Sequence, residues 1–243
     1  MDTVASALNV FTALGKSLPF VAKFVKQHWI ITVLYLLYGA IIACHFKNKT
    51  EPMEMVGVMF SPMFIPLWLF SFILGCLVVY YSVRTAVASL APSLGLANKS
   101  ALKCTWQIFC LVLIKIIAGL PLAVLLILPV FWWITKSAVS AANLVCTSDG
   151  PIESIKKSFK LTSGRFWQCF GYLAGVAFII GIAFQIVATA ISFALHASFM
   201  PDWDVASIKF GVGQTIAIFT SVIYCYCEAW LYVYLKAKSE SPV

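Results

Sequence analysis

Charge is scarce in this chain. Of 243 residues only 11% are charged, and nine are acidic, whereas an ordinary soluble domain carries about 25% charged residues. A water-soluble fold of this size needs a polar shell that such a composition does not supply. That excludes a cytosolic enzyme, and the apolar content excludes a disordered tail. Catalytic signatures are missing as well: there is no G-x-S-x-G, H-E-x-x-H, phosphate-binding P-loop or dinucleotide fingerprint. With no readable nucleophile–base pair or metal set, the expectation is a non-enzymatic protein without a cofactor. Basic residues nowhere form a dense run, which argues against nucleic acid. The opening Met1-Asp2 has no basic lead and its following apolar residues are periodic, so no cleavable signal peptide is expected.

Apolar residues make up 62% of the chain, and the mean hydropathy is +0.95. With a net charge of +8, this reads as a single all-α integral membrane domain over residues 1–243. Its basic residues flank the spans and meet anionic headgroups. About 20 apolar residues cross the hydrocarbon core, and six segments qualify: Trp29–His45, Ser61–Tyr81, Trp106–Leu128, Pro129–Val145, Phe170–Leu195 and Phe210–Leu235. A tight reversal at Leu128-Pro129 joins the third to the fourth, with Pro129 suited to a first helical turn.

With the N-terminus inside, the cytoplasmic pieces hold Lys16, Lys23, Lys26, Arg84, Lys99, Lys103, Lys156, Lys157, Lys160, Arg165, Lys236 and Lys238. The outer pieces hold Lys47, Lys49 and Lys209 beside Glu51, Glu54, Asp202 and Asp204. This asymmetry favours six spans with both termini cytoplasmic. Trp29, Trp106 and Trp167 then mark inner ends, and Trp132, Trp133 and Trp203 outer ends.

Each pair of spans is preceded by an amphipathic stretch, predicting three hairpins with three cytoplasmic lead-in helices and, as a hypothesis, an internal repeat. Residues 1–28 place Val4, Ala7, Phe11, Leu14, Leu18, Val21 and Val25 at helical spacing, with a bend expected at Pro19. The second lead-in is Arg84–Lys103, broken by Pro92 and Gly95. The third starts at Pro151 after an acidic-glycine turn, carries Ile152, Ile155 and Phe159 on one face, and ends at Gly164.

Lys115, Lys136 and Glu228 fall inside predicted spans, where ionisable groups are functional candidates because lipid penalises charge. All three lie about 12–15 Å from the inner surface at the helical rise, so Glu228 is expected to pair with Lys115 or Lys136. Snorkelling lysines are the bland alternative. Gly171, Gly175 and Gly181 form a small-residue face, for packing within the chain or, alternatively, for dimerisation. The eight cysteines read as apolar fillers rather than metal ligands, since Cys225 and Cys227 point to opposite sides of a helix.

The stretch from Leu128 to Tyr172 reads LPVFWWITKSAVSAANLVCTSDGPIESIKKSFKLTSGRFWQCFGY. Its proline-started span with Lys136 and Ser137 leads to the Asp149-Gly150 turn. Ile155, Ser158, Leu161, Thr162, Gly164 and Trp167 follow. This resembles the YciC-like inner-membrane proteins, related to the membrane domains of some glycerophosphodiester phosphodiesterases. The closing Leu231-Tyr232-Val233-Tyr234-Leu235-Lys236 resembles the end of that family too. The resemblance implies a bacterial inner-membrane protein with no established reaction, and Lys136 stands where many relatives carry Arg. The functional expectation is a membrane-organising or partner-docking protein, with another membrane protein or a second copy as partner. The alternative is a small transporter or lipid translocator with a path lined by Lys115, Lys136 and Glu228.

Overall fold

The computed structural model describes residues 8–45, 62, 64–125, 127–200, 203 and 205–240. Among these, every regular element is a helix: α1 (Val10–Gln27), α2 (Trp29–His45), α3 (Ile65–Leu90), α4 (Ala101–Leu125), α5 (Ile127–Ser137), α6 (Ser140–Cys146), α7 (Pro151–Thr162), α8 (Phe166–Ser198) and α9 (Val205–Glu240). Lys47, Lys49, Glu51, Glu54, Asp202, Asp204, Val4 and Ala7 lie outside the described residues.

Four helices are long and apolar enough to cross a bilayer: Ile65–Leu90, Ala101–Ala123, Phe166–Ser198 and Ile208–Glu240. The pair α1–α2, bent by 93° at His28, makes a fifth if it counts as one span. The windows in α3, α4 and α8 are only 28%, 11% and 17% buried within the protein. Their outward side chains include Ile73, Ile117, Phe178 and Ile186. Such apolar flanks are stable in hydrocarbon and not in water, so the chain is a polytopic membrane protein.

The six-span layout is not what the described helices show. The segment read as a fourth span is two pieces, α5 of 11 residues and α6 of seven. Hydroxyls drive the break: Ser140 Oγ donates to the Ser137 carbonyl at 2.6 Å and Ser137 Oγ to that of Ile134 at 3.4 Å, competing with the helical ladder. All of α6 from Ser140 to Val145 is buried, so its apolar residues serve the protein core rather than lipid. Trp132 and Trp133, expected at outer span ends, meet Phe159 of α7 edge-on, with ring centroids at 5.4 and 5.5 Å. Leu128 and Pro129, expected at a tight reversal, lie within α5, with Pro129 in its first turn, where its missing N–H costs nothing.

The lead-ins are also revised. Asn9 starts α1 by accepting hydrogen bonds from the backbone N–H of Phe11 at 2.9 Å and Thr12 at 3.4 Å. The helix continues through Pro19. Its buried face is Ala13, Ser17, Phe20 and Phe24, while Phe11 and Leu18 of the expected stripe are exposed. Arg84 belongs to the end of α3, and residues 91–100 are not helical, so the second lead-in helix is absent. The third forms as expected, with Pro151 at its start and Gly164 at φ +75° after its end. Its buried face, however, is Ser154, Ile155, Ser158 and Thr162, and Ile152 is exposed.

The chain divides into two compact units. The first comprises Met1–Phe24, Cys76–Ala177 and Val222–Val243. Its core is the last part of α9, where Trp230, Leu231, Tyr232 and Leu235 are fully buried together with Ile108, Leu111 and Leu144. Phe20 of α1 packs on Tyr226 with ring centroids 4.8 Å apart, and the Lys16 ammonium lies 5.1 Å from the Trp230 ring.

The second unit comprises Val25–Gly75 and Phe178–Ser221. Tyr38, Ile42 and Phe64 form its core with Leu67 and Phe210. Here α2 and α9 meet backbone to backbone. A Cβ added to Gly39 would lie 3.1 Å from the Gly211 carbonyl oxygen and run into the Thr215 hydroxyl. One added to Gly211 would lie 3.0 Å from the Gly39 oxygen.

Candidate intramembrane polar site

The site is built by α4, α5 and α9 within the first unit. Lys115 stands four turns into α4, and α5 folds back beside it, so that Trp133 Nε1 donates to the Lys115 carbonyl oxygen at 3.2 Å. Glu228 projects from the buried stretch of α9 into the same cavity, of about 380 Å³. Val112, Ala123 and Val130 make the walls apolar. Ile116, Leu120 and Ile134 are exposed at the rim, so the cavity opens on the apolar flank of the bundle.

Lys115 and Glu228 attract one another across this space. Among the described residues the direct ion pairs are Lys157–Asp149 and Lys236–Glu240, so the two intramembrane charges share a cavity without touching. In a low-dielectric surround their attraction is several times what water would allow. It acts against the larger cost of holding either charge away from water. Cys225, one turn before Glu228, also feels the Lys115 charge. Sequence reading treated that thiol as a filler, although its spacing of three residues from Glu228 put it on the same helical face.

Lys136 is elsewhere. Its carbonyl oxygen accepts a hydrogen bond from Ser158 Oγ of α7 at 2.7 Å, and its charge faces Cys169 at the start of α8. Of the three expected charges, Lys115 and Glu228 therefore line one cavity and Lys136 does not. Of the three glycines on α8, only Gly175 makes a close approach: a Cβ there would sit 3.3 Å from Val10 of α1. Gly171 and Gly181 have nothing within 4 Å. The tight helix contact belongs to Gly39 and Gly211, and their spacing to Ala43 and Thr215 is the small-residue signal that could have found it.

A second polar centre joins the start of α4 to the end of α6. Lys99 Nζ donates to Gln107 Oε1 at 2.9 Å, to the Leu144 carbonyl at 3.2 Å and to the Asp149 carbonyl at 2.9 Å. Burial pushes the Lys99 ammonium below the ordinary lysine range, and Asp149 pulls it back up. Asp149 itself accepts from Lys157 and from Thr147 Oγ1 at 2.7 Å, which holds its carboxyl below the usual range. Together these bonds tie residues 99, 144 and 149 into one knot that fixes where α7 begins. No group of three or more His, Cys, Asp or Glu side chains is placed to hold a metal among the described residues. Compared with family models, curated proteins and solved structures, the chain matches none.

Proposed function

We propose that this chain is a non-enzymatic membrane-organising protein of a bacterial inner membrane, holding anionic lipid at its cytoplasmic face. The observation that carries the reading is the outward faces of α1 and α7. Each helix buries a face of small or aromatic residues against the protein. Each leaves large apolar side chains and lysines outside: Phe11, Leu18, Lys23 and Lys26 on α1, Ile152 and Lys156 on α7. Apolar and basic residues together on an exposed helix suit the boundary between headgroups and acyl chains. The resemblance of Leu128–Tyr172 to YciC-like proteins supports the same assignment.

The test is lipid selection. The full chain, placed in nanodiscs with equal phosphatidylglycerol and phosphatidylcholine and then extracted with its bound lipid, is expected to retain phosphatidylglycerol in excess. Exchanging Lys23, Lys26 and Lys156 for Gln is expected to cut that excess at least threefold. Equal retention of both lipids by the unaltered chain overturns the proposal.

A lipid translocator is the second reading, favoured by the flank-opening cavity that brings Lys115 and Glu228 together. It predicts movement of a fluorescent phospholipid between leaflets of proteoliposomes, abolished in Glu228→Gln. Leaflet exchange no faster than in empty vesicles dismisses it.

A further inference from the structure

The first unit carries a polar groove of about 710 Å³. It is lined by Asn143 of α6, Lys157 and Lys160 of α7, Arg165 between α7 and α8, and Lys236 and Ser239 of α9. Four cations converge here, and two are answered locally: Lys157 by Asp149, and Lys236 by Glu240 at 3.1 Å. Lys160 and Arg165 have no ion-pair partner among the described residues. Arg165 reaches only the Lys238 carbonyl, at 3.5 Å.

A structural explanation exists for part of this. Lys160 and Lys236 lie in the last turns of α7 and near the end of α9, where cations offset the helix dipole. It does not account for Asn143. Asn143 is 3% exposed and lines the groove, and its enclosed Nδ2 has no hydrogen-bond partner among the described residues. A buried amide donor left unsatisfied is costly, and this one belongs to a residue on the wall of a cavity beside two cations without an ion-pair partner, so an acceptor bound there would relieve it.

The acceptor that fits is anionic, has several oxygens, and is small enough for the groove. We propose that the groove binds a phosphate group, with Asn143 Nδ2 donating from the floor and Lys160 and Arg165 supplying the opposing charge. The Arg165 guanidinium can engage two phosphate oxygens at once, and Ser163 and Ser239 are also among the lining residues. The phosphate comes either from a lipid headgroup or from free phosphate. Only the first source rests on the lipid-organising reading, because a free anion needs no lipid selection by α1 and α7.

The test uses the full chain in two settings. In uncharged detergent, inorganic phosphate is titrated by calorimetry. In nanodiscs of one part phosphatidylglycerol to four parts phosphatidylcholine, native mass spectrometry counts phosphatidylglycerol molecules that survive activation. Two variants are compared: the surface pair Lys160→Gln with Arg165→Gln, and Asn143→Asp, which keeps the size but replaces the donor with a carboxylate. Saturable phosphate binding, weakened at least tenfold in both variants, supports the site with free phosphate as occupant. One retained phosphatidylglycerol per chain, lost in both variants while inorganic phosphate binds weakly, supports it with a lipid headgroup. No binding in either setting, or binding that both folded variants keep, overturns the proposal. Failure of lipid selection by α1 and α7 alone leaves the phosphate titration standing, so the two proposals fail separately.

Discussion

Asp149 shows how one side chain positions an entire helix. It follows the last turn of α6, precedes Pro151, and receives hydrogen bonds from Lys157 and Thr147, while its backbone carbonyl serves Lys99. Because the folded state holds its carboxyl below the ordinary value of 3.8, the sign of the linkage is fixed. The contribution is fully present above that ordinary value and is lost as pH falls through the lower, folded one. Amide exchange in α7 is therefore expected to be flat from pH 7 to pH 5, once corrected for intrinsic rates, and to accelerate only in stronger acid. Asp149→Asn is expected to raise α7 exchange roughly twofold to fivefold at neutral pH, the scale of an exposed ion pair. Equal protection in the variant would mean the knot is held by Lys99 alone.

At the scale of elements, the contact of α2 with α9 offers the sharpest contrast. Gly211→Val drives a side chain into the backbone of α2 and is expected to destabilise by about 3 kcal/mol, the upper range for overpacking. Gly171→Val adds atoms where nothing lies within 4 Å and is expected to leave the melting temperature in detergent unchanged. The reverse ranking would restore the α8 glycines as the packing face. Elements with local signals were legible in the sequence: α2 runs over Trp29–His45 as expected, and α7 is bracketed by Pro151 and Gly164. The break between α5 and α6 was not, because Ala141, Leu144 and Val145 are equally suited to lipid and to a protein interior. That Lys115 and Glu228 would share one cavity could be anticipated from the rarity of charge in apolar helices. Asn143 was legible as a polar residue in an apolar segment, but its lack of a partner was not, since an unsatisfied amide is a property of its surroundings and not of its spacing.

For the whole molecule, the position of Lys136 decides between six crossings and fewer. If residues 129–145 crossed the bilayer, Lys136 would lie at mid-depth. Its bond to Ser158 and the edge-on contacts of Trp132 and Trp133 with Phe159 place it beside the basic helix α7 instead. With Cys44 replaced by Ser, Lys136→Cys is expected to react with a membrane-impermeant thiol reagent from the same side as Lys156→Cys, within about tenfold in rate. Protection of the first with labelling of the second would restore the crossing. The core of the first unit has a further consequence, in the order of synthesis. Its central residues, Tyr226 to Leu235, are made long after α1, which packs on them through Phe20 and Lys16. Contacts so distant along the chain form late, so α1 must wait, its aromatic face uncovered, until α9 has been made. During biogenesis the nascent protein therefore exposes a sticky surface from the synthesis of α1 to that of α9.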